Sequence, residues 1–204
     1  MARPRAPDYD ATRAQILAAA ARLFALKGFA AASMNEVAEA CAVTKPTLYH
    51  YVRDKQQLLV QICEQRLAEL ATLVAEVDAA GLGPDAKLRA LIERFVAGYG
   101  QAQHEHRVLT EDLRFLPEPE RERLLALERG VVAAFADALR AVRPELATAR
   151  LDKPLTMLLF GMINWTFTWL RPDGELSHDA IATIVADLFF GGLHAVATPT
   201  KTTA

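Results

Sequence analysis

The chain reads as an all-α protein on three observations. Apolar residues recur at three- and four-residue spacing along nearly its whole length, strand-like alternation of β-branched residues is absent, and Gly, Pro and Ser/Thr capping residues cut the pattern into helix-sized pieces. With 204 residues, 52% hydrophobic and 24% charged, it can bury the core of one large domain or two small ones and is too apolar for a disordered chain. No apolar run reaches the roughly 20 residues of a membrane span, and MARPRAPDYD carries charge where an export signal carries its apolar stretch. A soluble, cytoplasmic protein with no membrane partner is expected. Cys41 and Cys63 stand on separate helical patterns and read as two buried thiols of a reducing compartment.

The first helix is expected from about Tyr9 to Lys27, with Ile16, Leu17, Ala20, Leu23 and Phe24 on one face, and Gly28 ends it because Gly takes the left-handed cap conformation cheaply. Ser33-Met34-Asn35-Glu36 is a capping box that starts a short second helix, running to about Ala40 or Cys41. Thr44 caps a third helix through Leu48 and Tyr49, and Pro46 fits only in its first turn. A long amphipathic helix runs from about Asp54 to Asp78, Gly81-Leu82-Gly83-Pro84 interrupts it, and the pattern resumes from Pro84 to about Gln103. Helices over His106–Phe115, Glu118–Val142, Thr148–Leu170 and Ser177–Ala195 complete the set, with Arg171-Pro172-Asp173-Gly174 as the turn between the last two. Those two are apolar on most sides and must be covered all round, either inside a monomer or against a second subunit. A homodimer with a four-helix interface is favoured, and the tail after Thr198 is expected to be disordered.

Residues 34 to 51 place two short helices about a short turn, the spacing of a helix-turn-helix. Val37, Ala38, Val43 and Leu48 supply the small apolar contacts between them. The outer side of the second helix then carries Lys45, Thr47, Tyr49, His50 and Tyr51, which can bind phosphate oxygens and reach base edges in a major groove. Charge agrees: residues 1 to 60 hold eight Lys or Arg against five acids, whereas the rest of the chain holds 15 against 20.

The stretch Thr12 to Leu59 resembles the DNA-binding domain of TetR-type transcriptional regulators. The likeness is carried by Ile16-Leu17, Leu23-Phe24 and Gly28-Phe29, by Val37-Ala38 with Val43, and by Thr47-Leu48-Tyr49, Tyr51, Lys55 and Leu58-Leu59. It implies a homodimer whose recognition helices enter successive major grooves of a partly palindromic double-stranded operator, with Ser33, Thr44, Lys45, Thr47, Tyr49, His50, Tyr51 and Lys55 facing the DNA. Two positions depart from the family pattern. Ala42 stands where Gly is usual, at a cost of roughly 1 kcal/mol if its φ is positive. Pro46 removes an amide from the recognition helix.

The same resemblance implies a ligand-binding and dimerisation body after the DNA-binding domain, so the chain is divided into 1–54, 55–198 and a tail at 199–204. Phe160 to Trp169 and the closing helix are similar to a subgroup that controls catabolic genes and senses acyl-CoA thioesters, phenylacetyl-CoA among them. Trp165 and Trp169 lie at i and i+4 with Gly161 below and Asn164 beside them, where a flat acyl or aryl group has room. The expected effector site comprises Phe95, Tyr99, Arg114, Phe115, Phe135, Met157, Phe160, Gly161, Asn164, Trp165 and Trp169. The aromatics can equally fill the core or the dimer seam. Arg107, Arg114, Arg121 and Arg123 can meet CoA phosphates or pair with nearby Glu and Asp. Dimerisation is assigned to Leu158, Ile163, Phe167, Ile184, Leu188 and Phe189.

Catalysis finds little support, and no metal or cofactor is expected. His104 and His106 at i and i+2 do not share a helical face, and the chain has no Gly-rich phosphate loop, no G-x-S-x-G elbow and no CxxC. The reading is a DNA-binding, ligand-released repressor of catabolic genes that is not an enzyme, with a drug- or other small-molecule-responsive repressor as the alternative within the class. A helical ligand-binding or scaffold protein without DNA binding is the alternative from another class.

Overall fold

The computed structural model describes residues 7–171 and 174–197, except for the side chains of Pro7, Asp8 and Phe167. The expected turn at 171–174 therefore lies partly outside the described residues, and the tail at 199–204 wholly so. The described residues form ten α-helices and no strand: α1 (Pro7–Lys27), α2 (Met34–Ala40), α3 (Lys45–Tyr51), α4 (Lys55–Ala79), α5 (Pro84–Gln101), α6 (Gln103–Asp112), α7 (Glu118–Val142), α8 (Glu145–Thr148), α9 (Asp152–Trp169) and α10 (His178–Ala195). A 3₁₀ turn, Leu113–Phe115, follows α6. None of these helices is long and apolar enough to cross a membrane.

Of the two cysteines expected to be buried, Cys63 is and Cys41 is only partly so, and the helix boundaries depart most from the sequence reading at two places. The sixth helix begins at Gln103, three residues before the expected start. The ninth begins only at Asp152, because Arg150 takes a left-handed φ of 58° that breaks the helical path and leaves Glu145–Thr148 as a separate turn.

The chain packs as two compact units: Met1–Ala68 with Ala102–Leu125, and Glu69–Gln101 with Ala126–Ala204. This division differs from a single cut at residue 54, since the first half of α4 and all of α6 pack with the front helices. In the first unit α1 lies against α2 and α6, and α2 against α3, around Ile16, Leu17, Phe24, Val37, Leu48, Leu58, Leu59 and Val108, all buried. In the second, α5 packs on α9 and α10 through Leu88, Leu91, Ile92, Phe95, Ile163, Val185 and Phe189. Arg143 secures the end of α10 there, donating to the carbonyl of Leu193 (2.5 Å), which also accepts from the Val196 amide (3.4 Å), and to that of Val196 (3.0 Å).

Candidate nucleic-acid interface and effector core

The helix-turn-helix is built from its caps. Gly28, at φ +83°, closes α1 with a hydrogen bond from its amide to the Phe24 carbonyl (2.8 Å). Ser33 caps α2 reciprocally: its hydroxyl accepts from the Glu36 amide (3.3 Å), while its own amide and hydroxyl both donate to the Glu36 carboxylate (2.8 Å each). Lys27 also binds that carboxylate. The Lys27 contact foremost, and then the Ser33 bonds, hold the Glu36 carboxyl at about 2. The turn after α2 is a Schellman closure, with the Ala42 amide on the Glu39 carbonyl and the Val43 amide on the Ala38 carbonyl, both at 3.0 Å. It puts Ala42 at φ +54°, so the left-handed position that favours glycine is filled by a residue with a Cβ.

Thr44 then caps α3, accepting from the Thr47 amide (3.3 Å), and the two hydroxyls share a hydrogen bond (2.8 Å). Leu48 is fully buried and pins α3, so the opposite side must face outward. Thr44, Lys45, Thr47, Tyr49 and His50 are exposed there, and Tyr51 is half-buried. Pro46 occupies the first turn, where its missing amide breaks no helical bond. The face is short and polar, and it suits a groove lined by phosphates and base edges.

Two expected DNA contacts are not free for that role. Ser33 is exposed, but its amide and hydroxyl are both given to Glu36. The Lys55 ammonium turns back to three backbone carbonyls, those of Phe29 (2.7 Å), Ala32 (2.9 Å) and Ala30 (3.3 Å). One residue joins the face that sequence reading left out. Tyr9, in the first turn of α1, stacks on Tyr51 with ring centroids 4.7 Å apart, and His50 stands edge-on to both rings. No motif marks Tyr9, because its position 42 residues from Tyr51 becomes a contact only through the packing of α1 on the helix-turn-helix.

In the second unit, Phe95 of α5, Phe135 of α7 and Phe160 of α9 form an interior aromatic cluster, with Phe95–Phe135 at 4.7 Å and Phe135–Phe160 at 4.8 Å. Beside it the Tyr99 hydroxyl donates to the Asn164 Oδ1 (3.0 Å), a polar pair at the edge of apolar surroundings. These five of the expected effector residues come together. The others do not join them: Met157, Gly161, Trp165 and Trp169 lie on the outer side of α9, with Trp165 67% and Trp169 51% exposed. The two tryptophans do share a face, as their spacing requires. It is the face turned away from the core, because Leu159, Phe160 and Ile163 set the inward direction.

Arg114 and Phe115 belong to the first unit, where Phe115 stacks on Phe29 (5.3 Å) and the Arg114 guanidinium sits 5.0 Å from the Phe115 ring centre. Of the arginines considered for phosphate, Arg107 pairs with Glu111 (3.2 Å) and Arg123 with Glu64. The dimerisation set also divides. Leu158, Ile184 and Leu188 are exposed on α9 and α10, whereas Ile163 and Phe189 are buried within the chain, since they point toward α5 and the core; the Phe167 side chain lies outside the described residues.

The chain matches two family models: "Bacterial regulatory proteins, tetR family" over residues 16–62 and "Tetracyclin repressor-like, C-terminal domain" over 81–193. It belongs to the TetR family of transcriptional regulators. The HTH-type transcriptional repressor KstR2 of Rhodococcus jostii is 27% identical over 191 residues, covering 89% of this chain and 90% of that protein. A TetR-family transcriptional regulator from Bordetella parapertussis 12822 is 33% identical with a TM-score of 0.85, over 92% of this chain and 98% of that one. AibR, solved in complex with isovaleryl coenzyme A and operator DNA, shares the fold at a TM-score of 0.75 and 24% identity, over 87% and 97% of the two chains. The helix-turn-helix thus lies within the matched N-terminal segment of a TetR-family DNA-binding regulator.

Proposed function

We propose that this regulator is a homodimeric repressor released from its operator by an acyl- or aryl-acyl-CoA thioester. The observation that carries the effector half is the Tyr99–Asn164 hydrogen bond beside the Phe95–Phe135–Phe160 cluster: the rings suit a hydrocarbon or aryl chain, and the amide and hydroxyl suit a carbonyl oxygen. The same fold accommodates an acyl-CoA and operator DNA together in AibR. Repression follows the KstR2 relative. Thr44, Lys45, Thr47, Tyr49, His50 and Tyr51 read the DNA, and an effector that prefers a different setting of α4 separates the two recognition helices from half-sites about one helical turn apart.

The dimer reading rests on the outer sides of α9 and α10. Met157, Leu158, Trp165, Trp169, Ile184 and Leu188 are large apolar residues exposed there, with Gly161, Gly191 and Gly192 among them, where an added Cβ meets nothing within 4 Å. Bare apolar area of this kind is costly in water, and glycines permit close approach of a second pair of helices. In this reading the two tryptophans serve the seam rather than the effector.

The test is fluorescence anisotropy on the DNA just upstream of the protein's own reading frame, with phenylacetyl-CoA, other CoA thioesters, free acids and cationic drugs as candidate effectors. Tight, salt-sensitive binding released by a thioester supports the proposal; release by a drug alone replaces the effector class, and no release by any compound removes it. Lys45→Ala and Tyr49→Ala should weaken DNA binding while leaving assembly intact. Leu188→Glu should give a monomer in sedimentation, and an unchanged dimer would discard the α9–α10 interface.

A further inference from the structure

We infer that Lys55 is a positioning residue, which ties the α1–α2 connection to the first turn of α4 and holds no DNA phosphate; this deepens the DNA-binding reading and rests on it. An ammonium group has three N–H donors. The three of Lys55 meet the carbonyls of Phe29, Ala32 and Ala30 at 2.7, 2.9 and 3.3 Å, so none remains for a phosphate oxygen. Its Nζ also stands 4.5 Å from the centre of the Phe29 ring, where a cation is attracted to the π face. That ring is itself held, edge-on by Phe24 at 5.2 Å and stacked by Phe115 at 5.3 Å.

The location explains the residue type. A lysine in the first turn of a helix faces the positive end of the helix dipole, an unfavourable place for a cation unless other groups compensate. Here the compensation comes from the chain between Gly28 and Ser33, which makes one turn-closing bond of its own, from the Ala32 amide to the Gly28 carbonyl (3.2 Å). Its remaining inward carbonyls would be left in an apolar setting, since Phe29 is 6% and Ala32 3% exposed. Lys55 satisfies them from 23 to 26 residues away. The connection leads directly into Ser33, the cap of α2, so this ammonium adds a polar tie between the helix-turn-helix and the start of α4 to the apolar packing of Val37, Leu48, Leu58 and Leu59.

Two measurements test this. Amine labelling of the wild-type protein, read by mass spectrometry, should find Lys55 far slower than exposed Lys45, with or without the upstream duplex, while Lys45 becomes protected when the duplex is added. Lys55→Met, which keeps the stem and removes the donors, should weaken binding to that duplex roughly tenfold or more. The slope of log Kd against log salt should nevertheless match wild type, whereas losing a phosphate contact lowers it by about 0.9. Lys55→Arg should not restore affinity, because a planar fork cannot aim at three converging carbonyls, although it would serve a phosphate well. Fast labelling of Lys55 in the free protein with protection by DNA, a lowered salt slope, or rescue by Arg would each overturn the inference. If Lys55→Met does not fold, the wild-type labelling decides by itself. If the wild type binds no DNA, the DNA-binding reading fails separately, and labelling of the free protein still tells whether the clamp exists.

Discussion

Replacing Asp112 by Asn should stabilise the protein at neutral pH and do little in acid. Asp112 is the last residue of α6, only 6% exposed, and makes no capping hydrogen bond to the turn that follows. Burial, with Glu111 adding like charge, pushes its carboxyl up from 3.8 to about 6, against the opposing pull of Arg114 and Arg107. A carboxyl whose folded pKa lies above its unfolded value holds its proton more tightly in the folded state. Stability is then greatest below the unfolded pKa, falls as pH rises from about 4 to about 6, and stays at the lower level above that. A gap of about two pH units corresponds to roughly 3 kcal/mol of destabilisation at pH 7.5. Asn keeps the shape without the charge and still needs its amide solvated or bonded, so a gain of about 1–3 kcal/mol is expected. For a chain of this length that raises Tm by roughly 2–4 °C per kcal/mol. Thermal unfolding of both proteins at pH 7.5, 6.0 and 4.5 would check it. A gain that is absent at pH 7.5, or equally large at pH 4.5, would refute the argument that charge burial is the cause.

The turn of the helix-turn-helix and two packing contacts give further tests. Ala42→Gly should raise stability by up to about 1 kcal/mol, because it removes the left-handed penalty on an L-residue at φ +54° while adding only the freedom of glycine to the unfolded chain; a lowered melting temperature would count against the Schellman geometry. Gly100→Ala should destabilise by roughly 1–3 kcal/mol, since the new methyl would stand 2.5 Å from the His178 ring, and His178→Ala in the same chain should recover most of the loss in a denaturant titration. Tyr9→Ala should lower both thermal stability and DNA affinity, the latter roughly threefold to tenfold from loss of the aromatic stack on Tyr51. Equal DNA affinity for Tyr9→Ala and wild type would remove Tyr9 from the interface.

The DNA-binding unit was legible in the sequence because its determinants are local. Ser33 with Glu36, Thr44 with Thr47, Gly28 after Lys27, and Leu48 among polar neighbours each act within one turn of chain, so spacing alone places the caps and the buried side of α3. Ala42 shows how far this reaches: its anomaly against the family pattern was readable, and its positive φ turned the conditional cost into an actual one. Even here the long-range partners were hidden. Nothing local tells that Lys55 reaches back to the carbonyls at 29, 30 and 32, or that Tyr9 stacks on Tyr51.

The body was legible only in part. Hydrophobic periodicity found α5, α7, α9 and α10, but α9 is apolar on most of its surface, so the pattern carries no signal for which side faces in. Phe160 and Ile163 went to the core and Trp165 and Trp169 outward, dividing a set that composition had joined. Likewise Phe189 is buried while Leu188, its neighbour in sequence, is 64% exposed. The sequence by itself therefore determined the helical class, the caps of α2 and α3 and the outward polar side of α3, all governed by contacts within a few residues. Which aromatics meet around Tyr99 and Asn164, which apolar side chains remain outside, and where the Lys55 charge goes were decided by tertiary packing, because each depends on residues brought together across tens of positions and on a choice between two equally apolar faces of one helix.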